Sequence, residues 1–109
     1  MSSYRSARLV VILKKTLGEV LSREFSYEGA LVTITEVQLN KTEEKADVGL
    51  SIIPETKAPE VLKILKSLQG RLQRILIKKM NLRFVPRIEF VLDEGLSNAA
   101  RVDKLLDNE

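Results

Sequence analysis

The 109-residue sequence contains no cysteine and no histidine. Without thiols there can be no disulfide and no thiolate nucleophile or ligand. Without imidazole the chain lacks the side chain that titrates near neutral pH and the commonest metal ligand. Aromatic residues make up 5%, and Tyr4, Phe25, Tyr27, Phe84 and Phe90 are too scattered to form an interleaved stacking platform. Phe90 and Phe25 read as core residues, which leaves Tyr27 and Phe84 as the candidates to stack on a base. Long apolar runs are missing too. The run Leu9–Leu13 stops at Lys14 and Lys15, too short for a secretory h-region and far too short for a bilayer span, so a cytosolic protein is expected. The serines have no histidine partner. The acid pairs Glu43–Glu44 and Asp93–Glu94 fall in turn-like stretches, where solvated ends explain them. No phosphate loop or dinucleotide fingerprint occurs. These absences argue against an enzyme and against a cofactor or metal site.

What is present is an uneven charge. The net charge is +3, yet residues 57–87 hold nine basic groups against one acid, Glu60. Residues 1–56 hold seven bases and eight acids, and residues 88–109 two bases and six acids. A basic middle flanked by neutral and acidic parts points to a polyanionic partner meeting one face. The length fits one domain over residues 1–109, with 93–109 as a short acidic C-terminal extension.

From Ser3 to about Arg23, Ala7, Val10, Leu13, Leu17, Val20 and Leu21 recur at helical spacing, with Lys15, Glu19, Ser22 and Arg23 on the other side. Ser2 or Ser3 suits the cap. Val32 and Ile34 then alternate with Thr33 and Thr35, and the phase slips after Glu36 to Val37 and Leu39, which predicts a bulge or a strand covered on both faces. Asn40–Glu44 reads as a turn. Ala46, Val48, Leu50 and Ile52 form a half-buried strand, completing a hairpin that Pro54 ends. Pro59 suits a first helical turn, and Leu62, Leu65, Leu68, Leu72, Ile75 and Leu76 carry a helical stripe to about Met80. Gly70 interrupts it and predicts a kink between two helical pieces. Ile88, Phe90 and Leu92 alternate in a last strand, and the tail from Asp93 suits a short docked helix. No repeat, linker or low-complexity tract occurs.

The candidate site is the basic side of that kinked helix pair. Lys63, Lys66, Arg74 and Lys78 fall near one line at helical spacing, with Arg71 beside them and the leucine stripe opposite. Lys79, Arg83 and Arg87 extend the positive surface. Such a stripe neutralises phosphates and releases counterions, so it suits salt-dependent nucleic-acid binding. Gly70 would let backbone approach a phosphate and open amide groups at a helix start; a packing or helix-ending glycine is the other reading. The rival functions are a basic protein-interaction module for an acidic protein, and a membrane-surface helix. The second needs the leucines free to insert, whereas they are better used against the sheet.

The order helix, strand, strand, helix, kink, helix, strand resembles a type II KH domain, although no two glycines make the usual Gly-x-x-Gly loop. The sequence is more similar to the ribosome-binding factor A family, in which an Ala-x-Gly kink replaces that loop. Arg8-Leu9 and Leu21-Ser22-Arg23-Glu24 resemble the ends of the family's first helix. Val37-Gln38-Leu39 with Lys45-Ala46-Asp47-Val48 resembles its hairpin, and Met80-Asn81-Leu82-Arg83-Phe84-Val85-Pro86 with Ile88-Glu89-Phe90 its entry into the last strand. The kink falls on Leu68-Gln69-Gly70, with leucine where alanine is usual. The resemblance implies an α+β KH-like fold with a three-stranded sheet and helices on one face. It further implies a monomer that binds 16S rRNA in the free 30S subunit during its late maturation, near the 5′ end and the decoding region. A role in cold growth and release with the help of a ribosome-associated GTPase are also implied.

Overall fold

The computed structural model describes residues 3–93. Helix α1 (Ser3–Glu24) leads into strands β1 (Leu31–Leu39) and β2 (Lys45–Ile53), then helices α2 (Ala58–Ser67) and α3 (Gln69–Met80) and strand β3 (Arg87–Leu92). This is the expected α+β order. A single 3-10 turn, Glu55–Lys57, precedes α2. The tail from Glu94 and the capping role of Ser2 lie outside the described residues.

Helix α1 follows its apolar spacing: Leu13, Leu17, Val20 and Leu21 are buried, and Leu9 and Val10 pack at the edge of the core. Ala7, expected in that stripe, is exposed, because it borders an open depression between the start of α1 and the end of β1 that no side chain fills. Beside it Ser6 donates a hydrogen bond to Glu43 in the β1–β2 turn. That turn is organised by Asn40, whose Oδ1 accepts the Glu44 and Lys45 N–H groups at 2.9 and 3.0 Å.

The expected phase slip in β1 is a bulge. Ile34 pairs with Leu50 and Glu36 with Gly49, leaving Thr35 as the extra residue. The insertion returns Val37 and Leu39 to the face already used by Val32 and Ile34, and all four join the core. Ala46, Val48, Leu50 and Ile52 of β2 face the same way and are buried. The strand order is β1-β2-β3, with β1–β2 antiparallel and β2–β3 parallel. A parallel pair needs a long crossover, which α2 and α3 supply. Both bury one side against the sheet through Ala58, Val61, Leu65, Leu72 and Leu76.

The helices therefore cover one face of the sheet. On the other, Gly49 is buried at the bulge because Thr35 Oγ1 donates to Asp93 directly over it. A Cβ at Gly49 would lie 2.9 Å from that oxygen and 3.2 Å from Asp93 Cβ.

Candidate nucleic-acid interface

Each helix that buries leucines inward must present its remaining residues outward, and on α2 and α3 those are largely basic. Lys63 and Lys66 on α2, Gly70, Arg71, Arg74, Lys78 and Lys79 on α3, Arg83 in the following loop and Arg87 at the start of β3 are all exposed. The sequence places them on two helical pieces with the break at Gly70; the two pieces are present, and only the position of the break shifts, within Leu68-Gln69-Gly70. The break is at Leu68, whose φ −92°, ψ −1° closes α2 and serves as the N-cap position of α3. Gly70 lies inside the first turn of α3. Lys63 and Lys66 thus belong to α2, and Arg74 and Lys78 to α3.

The position of α3 is fixed by two glutamines. Gln73 Oε1 accepts the Ile88 N–H at 2.8 Å while its Nε2 donates to the Pro86 carbonyl at 3.0 Å, and Gln69 Oε1 accepts the Phe90 N–H at 3.1 Å. These bonds satisfy the outward backbone groups of β3 and dock α3 along that edge. A Cβ built on Gly70 would meet only Arg74 Nη1, at 3.8 Å. Glycine is therefore not required by packing there, and its surroundings are open to an approaching ligand.

The charges are not equivalent. Arg71 is held by Glu24 of α1 at 3.2 Å, although its side chain stays 61% exposed. Lys45 on β2 bonds Glu89 at 2.8 Å. That hydrogen bond and its charge, with smaller help from Lys66 and Arg87, hold the Glu89 carboxyl below the usual range. Glu89 in turn, with Asp47, raises Lys45. Glu60, the one acid of the basic segment, accepts from the Tyr27 hydroxyl. That bond first, and then burial, raise the phenol above its ordinary value. By contrast, Lys63, Arg74, Lys78, Lys79 and Arg83 make no ion pair among the described residues. Arg71, Arg74 and Lys78 rim a shallow, apolar-floored depression with Ile75 and Ile77. Cations around an apolar floor offer charge to phosphates and surface to sugars or bases.

Of the two candidate stacking residues the structure separates one from the other. Tyr27 is half-buried against the core and bonded to Glu60. Phe84 is exposed.

Sequence reasoning did not single out the bases of α1. This helix packs beside α3, and its Arg5, Arg8, Lys15 and Arg23 are exposed. The signal was available: α1 carries five bases against two acids. Summing charge over residues 1–56 hid it behind the acids of the hairpin. Among the described residues no cluster of metal-ligating side chains occurs and no helix is long and apolar enough to cross a membrane.

Comparison with known proteins adds to this geometry. A family model described as ribosome-binding factor A matches residues 5–106. Ribosome-binding factor A of Protochlamydia amoebophila is 32% identical over 109 residues, covering 97% of this chain and 83% of the relative. The crystal structure of ribosome-binding factor A from Thermus thermophilus superposes with a TM-score of 0.66 at 26% identity, covering 79% of this chain and 92% of that one. A model of the Thermus thermophilus factor fitted into a cryo-EM map of its 30S complex superposes with a TM-score of 0.65 at 25% identity, covering 78% and 91%. With nearly its whole length matched, and with the KH-like fold in place, the chain belongs to the ribosome-binding factor A family.

Proposed function

We propose that this protein binds the RNA of the free small ribosomal subunit through the outer side of α2 and α3 and, without catalysis, assists late maturation of 16S rRNA. The observation that carries the reading is the asymmetry of the two helices. Their leucines are spent on the sheet, and the side left outward presents Lys63, Arg74, Lys78 and Lys79 with no internal partner among the described residues. Cations kept free of acids suit phosphate neutralisation. Lys66, Arg71, Arg83 and Arg87 widen the surface, and Gly70 leaves room for a phosphate at the start of α3. The 30S complex described for the Thermus thermophilus relative supports the choice of subunit. On this reading the protein acts in the cytoplasm as a monomer, and a ribosome-associated GTPase assists its release.

The test is cosedimentation with isolated small subunits, large subunits and whole ribosomes across a salt series, for the parent protein and for Arg74→Glu/Lys78→Glu. The parent should bind free small subunits only, and less as salt rises. The double reversal should abolish that binding with its circular dichroism and melting curve intact. Undiminished binding by the reversed variant would remove this face from the interface. Binding that survives nuclease digestion of the RNA would instead favour an acidic protein partner.

A further inference from the structure

The loop between α3 and β3 shows a feature that folding alone does not explain. At its start Asn81 adopts a left-handed conformation, φ 50°, which ends α3 and turns the chain. At its end Val85 packs on the core, and Pro86 is buried and held through its carbonyl by Gln73. Between these anchors Leu82 and Phe84 are left 43% and 56% exposed. Phe25, Tyr27 and Phe90 are all packed in or against the core, so Phe84 is the exposed aromatic among residues 5–93. A phenylalanine ring in water is unfavourable by the free energy of its uncovered apolar area, and residues in contact with the ring inside the chain do not cover it. On either side in sequence stand Arg83 and Arg87, both exposed.

We infer that Phe84 is a stacking residue: its ring takes the face of one unpaired RNA base while Arg83 and Arg87 hold the flanking phosphates. This rests on the reading of the basic surface as an RNA interface and adds to it a contact that charge does not supply. Every base has a π-face, so such a contact selects unpaired over paired RNA rather than one sequence over another. Its rigid mounting matters. Because Pro86 and Asn81 fix both ends of the loop, little order remains to be imposed when a base arrives.

The chain contains no tryptophan, so Phe84→Trp introduces a single indole at the site. The probes are a short oligoadenylate and a blunt RNA duplex of similar charge. With Phe84→Trp the oligoadenylate should quench the indole fluorescence and the duplex should not. With Phe84→Ala, oligoadenylate affinity should fall about tenfold with the melting temperature unchanged, and duplex binding should be unaffected. Phe84→Leu should behave like alanine, because it restores apolar bulk without a π-face. If Phe84→Ala and Phe84→Trp bind the oligoadenylate as the parent does, with no quenching, the stacking role is wrong while the basic interface stands. If the parent binds neither RNA nor the small subunit, both readings fall. If Phe84→Ala binds RNA normally but no longer pairs with a ribosomal protein on subunits, the ring is a protein contact and the inference is overturned.

Discussion

At the scale of the residue, two glycines illustrate opposite demands. Gly49 is required by packing, since a methyl group there would press on Thr35 Oγ1 at 2.9 Å and on Asp93 Cβ at 3.2 Å. Gly49→Ala should cost about 1–3 kcal/mol in urea denaturation, the range for an overfilled site. Most of that loss should vanish in a Thr35→Ala background, since the nearest obstructing atom is then gone; additive losses would place the strain elsewhere. Gly70 has open space instead, with Arg74 Nη1 at an ordinary 3.8 Å. Gly70→Ala should therefore leave stability unchanged or raise it by up to about 1 kcal/mol. Small-subunit affinity should nevertheless fall if backbone at this turn meets a phosphate. Affinity equal to that of the parent would assign Gly70 no part in binding.

At the scale of the element, most of the fold is legible in the apolar spacing, and what is not legible is set by tertiary contacts. The bulge in β1 can be read because the alternation changes phase at Glu36, and a one-residue slip changes which face a side chain joins. The break between α2 and α3 is read two residues late. Gly70 is the weakest helix former there, whereas Leu68 is a strong one. The direction of α3 is imposed from outside the helix, by Gln69 and Gln73 on β3 and by Leu72 and Leu76 in the core. A glutamine on a helix reads as solvated surface, so no local pattern announces that role. The bases of α2 and α3 are legible as a group because few acids dilute them, whereas those of α1 are cancelled by the hairpin's acids in any long window. The glutamine contacts make their own prediction. Gln73→Met keeps the bulk and leaves the Ile88 N–H and the Pro86 carbonyl unpaired at a partly buried edge. It should destabilise the protein by about 1–3 kcal/mol in urea denaturation. Removing Gln69 as well should uncover the β3 edge for pairing with other chains, visible as aggregation in light scattering. A doubly substituted protein as stable and monodisperse as the parent would show that α3 holds its place through the leucines alone.

At the scale of the whole molecule, the charge pattern and the missing histidine together fix how the protein responds to pH. No side chain has an ordinary pKa between the carboxylates and the phenols and amines. The shifts that do arise move outward from neutrality. Glu89 is lowered by Lys45, so its contribution is present above the unfolded carboxylate pKa and is lost as pH falls through its lower folded value. Lys45 is raised by Glu89 and Asp47, and Tyr27 by Glu60. Both contribute fully below their unfolded values and lose that contribution as pH rises through the folded ones. All three groups are only half-buried and reach solvent, so each contribution is small and screened by salt. Stability and RNA affinity should accordingly be level between about pH 6 and pH 8, where no side chain changes charge. Below about pH 5 the midpoint of urea denaturation should fall, and Glu89→Gln should reduce that fall at low ionic strength more than at high. A midpoint that moves with pH between 6 and 8, or an acid limb identical in Glu89→Gln, would show that this cluster does not govern the response.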